Sequence, residues 1–486
     1  MSIGLALQTA LSGLQANQTK SAILSRNIAN ATTPGYTRKE AVLTSVSIGG
    51  EGRGVQVSDF RRSADASLAR ETRVQASASA AQTSRAQILS VYTQTIGQPQ
   101  EERSFSAALA TLERAFYGLE DLPESPTQQR AVVDAAINLA SRLGDANKAI
   151  ANAREQADAG IGDAVTSING ALKRLEDLNR QVAVRTGSGQ DISELEDERD
   201  RLLDGLSEQI GIQYFTRDAN AIVVMTTGGV TLLDENAREI EFTRTPVIGA
   251  TASYAGGGLS GLTVDGVDIA PGSGYPNPVK GGRLEGFFAV RDQAMPEMQR
   301  QIDEVASVLA DRFQQADASA GTTGTGLFTE NGARHNRAAG NITGMAGRIQ
   351  VNDLVRLDAG GDPARVRTGL HAAGGDVGDT TQVRAFLGVF STSVSFSVSA
   401  GLMTSGTVRD FANAAIGQQH AVRASAENSA KSLDIQLETV RATREGREGV
   451  NIDEELQELI VLERSYAANA QIMQVASRML DKLLEI

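Results

Sequence analysis

Apolar residues recur near both ends of the chain at alternating steps of three and four. Leu7, Ala10, Leu14, Asn17, Ser21, Leu24 and Ile28 form one stripe. Near the other end Leu459, Tyr466, Met473 and Leu480 repeat every seventh position, with Leu462, Asn469, Ala476 and Leu483 at the second seam position. This spacing is that of a coiled-coil seam. A C-terminal helix of roughly 33 residues would be about 50 Å long at 1.5 Å per residue, and its stripe must be buried against something. The N-terminal stripe is the matching partner. An internal two-helix hairpin and a self-assembly surface both satisfy the pattern. With antiparallel helices and flush ends, Asn17 and Asn469 fall at one level and are expected to face each other and fix the register.

The first helix should end near Asn30, where Thr33–Pro34–Gly35 signals a turn. The alternation in 42–48 and 54–60 predicts a hairpin. Helices are expected from Ser63 to Ile96, Ser104 to Tyr117 and Thr127 to Arg185, the last broken near Gly160–Gly162, with another capped by Ser193 and Glu196. Short strands are expected over 212–234, 249–278, 348–355 and 391–399. Helix returns over 281–319, where Pro296 sits early or kinks it, and from Thr404 to Arg447.

The fold class is therefore α+β and multidomain: a long helical core made from both chain ends, with an inserted β-rich outer domain. The expected divisions are 1–62 with 448–486 (terminal helical assembly domain plus hairpin), 63–211 with 283–325 and 400–447 (helical-bundle core), 212–282 (β-rich outer domain) and 326–399 (mixed α/β). The length, 486 residues, fits several domains rather than one core.

Composition narrows the chemistry. The 46 basic and 59 acidic residues leave a net charge of −13, which disfavours nucleic acid and anionic membrane as partners. Cysteine is absent, so disulfides, Cys-ligated metals and thiol nucleophiles are excluded. His335, His371 and His420 form no paired-histidine motif and read as surface or satisfied core residues. The acidic run SELEDERDRLLDG (193–205) reads as a solvated helix face with Glu198–Arg201 and Asp197–Arg201 pairs. AGGGLSG (255–261) lacks the Lys–Ser/Thr of a phosphate loop, and VDGVD (264–268) lacks the remaining calcium ligands. The stretches 245–278 and 330–400 offer no nucleophile–base–orienter set. No enzyme, metal or cofactor is expected. No apolar run is long enough to span a membrane, and the N-terminus lacks the early positive charge of a cleaved signal.

Two terminal motifs, ALSGLQANQ (10–18) with SRNIANATTPGYTRKE (25–40), and GVNIDEELQELIVLERSYAANAQIMQVASRMLDKLLEI (449–486), closely resemble those of bacterial flagellar axial proteins. Two internal stretches, DISELEDERDRLLDGLSEQIGI (191–212) and GGRLEGFFAVRDQAMPEMQRQIDEVASVLADRF (281–313), look like the hook-associated family of the hook–filament junction, the FlgK family. Arg26 and Lys39 depart from the Asn and Gln more usual in relatives. The resemblance implies a structural adaptor exported through the flagellar type III apparatus without a cleaved signal peptide, ending in the extracellular flagellum. It implies an assembly interface at Leu7, Leu11, Leu14, Ile28, Pro34, Gly35, Tyr36, Leu459, Leu462, Tyr466, Met473, Leu480 and Leu483. It further implies an export chaperone on Leu459, Leu462, Tyr466, Met473 and Leu480, with like subunits, the hook protein and the second junction protein as partners. Other axial subunits (second junction, hook or distal-rod protein) and an adhesin displayed through the outer domain are the alternatives.

Overall fold

The computed structural model describes residues 3–48, 51–340 and 342–484. In chain order its longer elements are α1 (Ile3–Asn30), strands β1 (Lys39–Ile48) and β2 (Glu51–Arg62), α2 (Ala66–Ile96), α3 (Phe105–Asp121), α4 (Pro126–Gly187) and α5 (Ser193–Gln209). Strands β3 (Ile212–Thr216), β4 (Ile222–Thr226), β5 (Thr231–Leu233), β6 (Ile240–Glu241), β7 (Thr263–Val264) and β8 (Val267–Asp268) follow. Then come α6 (Gly282–Ala289), α7 (Met295–Ala316), α8 (Met345–Arg348), α9 (Arg365–Thr368), α10 (Thr381–Ser391), α11 (Val408–Glu448) and α12 (Ile452–Leu484), with one short strand pair flanking α8 (Phe328–Glu330 with Ile349–Val351) and another before α11 (Val394–Ser395 with Ser405–Gly406). The α+β class with long terminal helices is the observed one. The strands expected over 348–355 and 391–399 shrink to Ile349–Val351 and Val394–Ser395.

The chain forms two compact units. The first comprises Met1–Ala78, Ser167–Glu239 and Ser432–Ile486. Here α1 and α12 pair, and the antiparallel β1–β2 hairpin lies along α1. Gly54 allows that approach: a Cβ there would stand 1.9 Å from the Ser12 hydroxyl oxygen, which accepts a hydrogen bond from the Val55 amide at 3.2 Å. The three-stranded sheet β3-β4-β5 belongs to the same unit.

The second unit comprises Ser79–Thr166 and Ile240–Lys431. Helix α7 is its axis and is buried on nearly every face although it carries buried polar residues such as Gln299, Gln301, Asp303 and Glu304. Phe313 on α7 meets Phe116, Phe328, Phe386 and Phe390 at ring-centroid distances of 5.4 to 5.8 Å. Its buried polar side chains find distant partners: Gln301 accepts from Gln419, which in turn accepts from the Tyr92 hydroxyl, both at 2.9 Å. The sheet β6-β7-β8 belongs here, so the strands of 212–282 lie in two sheets divided between the units.

Two local expectations are corrected. Helix α4 runs unbroken for 62 residues through Gly160–Gly162. These glycines serve close approach instead of a break, since a Cβ on Gly160 would lie 2.6 Å from the Phe287 ring and one on Gly162 would lie 2.8 Å from the Arg244 side chain. Ser193 does not cap α5; Asp191 accepts from its amide at 2.9 Å and its hydroxyl at 2.7 Å, leaving Glu196 to bond Asn220. Pro296 sits in the first turn of α7, and the helix widens into one π-type turn over Val290–Ala294 just before it. Proline has no amide hydrogen for the carbonyl four residues back.

Candidate functional site

The terminal pair has a single antiparallel register. A Cβ on Gly13 would come within 2.9 Å of the Asn469 amide nitrogen, Asn17 donates to the Ser465 hydroxyl at 3.0 Å, and Asn27 donates to Glu455 at 2.9 Å. Each step forward along α1 is matched by an equal step back along α12. Asn17 and Asn469 therefore do not face each other: they lie on the same seam one helical turn apart, because the helices are offset by about one turn from flush. The polar seam positions still fix register, through Asn17–Ser465 and through Asn469 over a glycine.

Of the residues expected at the interface, Leu14 and Leu462 are buried, while Leu7, Ile28, Leu459 and Met473 are half-buried. Leu11, Tyr466 and Leu480 are exposed, as are Pro34 and Gly35 at the turn; Tyr36 is half-buried. The Leu483 side chain lies outside the described residues. At the end of α1 the buried stripe shifts from Ile28 to Asn27, a step of three after Leu24.

That shift creates a hub not foreseen from the sequence. Asn27 is fully buried. Its amide donates to the Lys39 carbonyl and to Glu455, both at 2.9 Å, while its oxygen accepts from the Tyr36 hydroxyl at 2.9 Å and the Lys39 amide at 3.2 Å. Glu455 is equally buried and pairs with Arg38. Helix end, turn, first strand and C-terminal helix thus meet on two side chains. The signal was present: Glu455 stands four positions before Leu459 and continues its seam, where a charge must have a partner. Burial, with Asp197 adding, pushes the Tyr36 phenol up to about 12. Gly35 has φ +73°, and a Cβ there would meet Arg201 Cγ at 2.6 Å.

The acidic run on α5 is not a solvated face. Asp197 is buried and pairs with Lys39 at 3.2 Å and Arg62 at 2.8 Å, at the base of the hairpin. Asp200 takes Arg62 at 2.6 Å and Arg73 at 2.9 Å, and Asp204 takes Arg73 at 2.6 Å and Arg444 at 3.0 Å. Burial raises the Asp200 pKa, but Arg62 and Arg73 outweigh it and hold the carboxyl below its usual range. Glu198 pairs with Arg174, not Arg201. Sequence spacing suggested pairs within the helix; the partners of Asp197, Asp200 and Asp204 come from segments about 130 residues or more away, and that of Glu198 from α4, 24 residues away, all beyond the reach of helical periodicity.

The outer side of α12 carries a second stripe. Val461, Ala468, Ile472, Val475 and Met479 follow steps of seven, four, three and four, and all are exposed, Val461 at 65% and Met479 at 51%. Between Ile3–Ala6 of α1 and Ala468–Met479 lies an apolar groove of about 590 Å³, and a second of about 530 Å³ lies between Asn17–Ser25 and Leu459–Tyr466.

In the second unit a nucleophile–base–orienter line does exist. His335 Nδ1 lies 2.9 Å from Glu330, and Nε2 lies 2.8 Å from the Ser307 hydroxyl. With Nδ1–H donating to the carboxylate, Nε2 accepts from Ser307. Ser307 and His335 are buried, so no substrate carbonyl reaches the hydroxyl. The line pins the segment around 330–335 to α7. Among the described residues no three His, Asp or Glu side chains gather as metal ligands, and no helix is long and apolar enough to cross a membrane.

Residues 92–328 match the family described as flagellar hook-associated protein FlgK helical domain, 447–486 match flagellar basal body rod FlgEFG protein C-terminal, and 7–37 match flagella basal body rod protein. Flagellar hook-associated protein 1 of Bacillus subtilis is 24% identical over 511 residues, covering 98% of this chain and 97% of the relative. The protein of that name from Salmonella typhimurium is 26% identical over 314 residues, covering 63% of this chain; the chain spans 55% of that relative's length. The solved flagellar hook junction protein FlgK from Burkholderia pseudomallei aligns with a TM-score of 0.43 and 21% identity, over 54% of this chain and 46% of that one. With the helical body and both terminal motifs matched in order along one polypeptide, the chain is similar to the flagellar hook-associated proteins of the FlgK family.

Proposed function

We propose that this protein is a structural adaptor of the hook–filament junction, a non-enzymatic subunit that joins its layer to neighbouring layers through the paired terminal helices. One observation carries the reading: α12 spends one apolar stripe on α1 and leaves a second, Val461 to Met479, exposed over most of its length. An uncovered stripe of this extent on a soluble chain marks an interaction surface. Like subunits cover it in the layer, and the hook protein and second junction protein abut the layer on either side. An export chaperone covers the C-terminal helix before secretion, on the seam residues Leu459, Leu462, Tyr466, Met473 and Leu480. The buried hub at Asn27 and Glu455 holds the pair at a fixed angle to the hairpin, so that the lattice receives a rigid unit.

The test separates the two stripes. Met473 is half-buried, so Met473→Asp perturbs both the helix pair and assembly. Its neighbour Ile472 is 48% exposed, so Ile472→Glu should leave the monomer's melting unchanged and abolish incorporation at the hook tip, scored by electron microscopy of cell-attached flagella. Normal filaments in cells carrying only Ile472→Glu would remove the second stripe from the interface.

A further inference from the structure

The second unit contains a pocket of about 500 Å³, within the size range of small-ligand sites, with an apolar lining interrupted by a few polar groups. The loop Ala250–Ala255 and Pro271–Gly272 form one wall, and the π-type turn with the start of α7 forms the other. That turn aims consecutive residues in different directions. Arg291 is buried over the ring of Phe288, while Asp292 and Gln293 line the pocket. Such single wide turns are frequent at functional sites.

The floor contains a cation with no carboxylate of its own. Arg154 is buried, and its guanidinium donates to three main-chain carbonyls: Arg291 at 3.0 Å, Gly249 at 3.2 Å and Ala252 at 2.6 Å. Carbonyls orient the group without neutralising it. The nearest acids, Asp158 and Asp292, are bound to Arg291 at 2.7 and 2.9 Å. Asp158 and Asp292 hold Arg291, and Asp268 holds the Tyr254 hydroxyl, so the Arg154 guanidinium is held by carbonyls alone, and Arg300 stands at the rim. Arg300 donates to the Ser399 carbonyl at 2.7 Å and has no carboxylate within ion-pair distance among the described residues. Burial holds the Arg154 pKa below its usual value, the direction expected of a buried cation that a bound anion would relieve. Tyr254 lines the pocket with its hydroxyl tied to Asp268, which fixes the ring, and Gln293, Thr251 and Ser253 are exposed hydroxyl and amide partners around it.

We propose that this pocket binds a small carboxylate-bearing, hydroxyl-rich molecule, the chemistry of an acidic sugar. Arg300 and Arg154 receive the carboxylate, Asp292 and Gln293 take hydroxyl groups, and the Tyr254 ring supports the apolar face of the sugar. The site is independent of the terminal helices and goes beyond their assembly role.

Saturation-transfer NMR on the full chain, titrated with D-glucuronate, tests the proposal, with D-glucose and acetate as competitors and probes. The expected result is saturation transfer to glucuronate, at least tenfold weaker apparent affinity for glucose and for acetate, and at least fivefold weakening by Arg300→Gln with unchanged melting. Arg154→Lys should weaken binding further; should that variant fail to fold, Arg300→Gln still decides. No transfer to glucuronate overturns the proposal. So does equal affinity for acetate, which means anion adsorption only. Unchanged binding in Arg300→Gln places any bound sugar elsewhere and also overturns it.

Discussion

Replacing Glu455 with alanine should loosen the terminal helix pair while sparing the second unit. Glu455 is fully buried, accepts from Asn27 at 2.9 Å and pairs with Arg38. Removing one member of a buried charge pair commonly costs about 3–5 kcal/mol. Two features place this site below that range. Asn27 retains its bond to the Lys39 carbonyl, and Arg38 is 22% exposed and keeps Glu40 and Glu458. A cost of about 2–3 kcal/mol follows. At about 1.4 kcal/mol per tenfold, that is roughly a 30- to 150-fold rise in the opening equilibrium. Hydrogen exchange read by mass spectrometry reports it directly: amide protection in peptides from 15–30 and 452–465 should fall by that factor, with peptides from 105–150 unchanged. Glu455→Gln keeps an acceptor but loses the charge, and should fall between the two. Equal exchange in Glu455→Ala and the parent protein would refute the hub. Loss of protection in 105–150 as well would show a general destabilisation instead of a local hinge.

Gly35→Ala should cost about 1–2 kcal/mol, because φ is positive and Arg201 occupies the Cβ position; adding Arg201→Ala should recover the steric part only, as read from urea unfolding. Gly160→Leu should destabilise the second unit by about 1–3 kcal/mol through overpacking against Phe287; an unchanged calorimetric transition would argue against close packing there. Burial pushes the Asp303 carboxyl up to about 6 although Ala346 and Gly344 amides and Gln299 bond it. Its folded pKa exceeds the unfolded value near 4, so its stabilising contribution is full below about pH 4 and is lost as pH rises through 6. The difference in stability between parent and Asp303→Asn should therefore shift by about 2–3 kcal/mol between pH 4 and 7, while a pH-independent difference would mean that Asp303 titrates normally.

The long elements were legible because their spacing is local. α1 and α12 follow from heptads, the end of α1 from Thr33–Pro34–Gly35, and the hairpin from alternation. What stayed hidden depends on distant partners. Asp197 looks solvated by its neighbours, and only the hairpin's arrival with Lys39 and Arg62 buries it. Gly160 reads as a helix break until the Phe287 ring is placed beside it. Ser307, Glu330 and His335 align although no motif joins them. The offset of about one turn between α1 and α12, which separates Asn17 from Asn469, is set by the hub at their base, and periodicity carries no information on such an offset.

The most direct measurement is a clean deletion of the gene in its own bacterium, with electron microscopy of the cell-attached flagella and an assay of flagellin in the medium. The account predicts complete hooks without filaments and flagellin shed outside, both restored by the parent protein. Absent or unfinished hooks would move the protein down to the rod or hook, and normal filaments would contradict a junction role altogether.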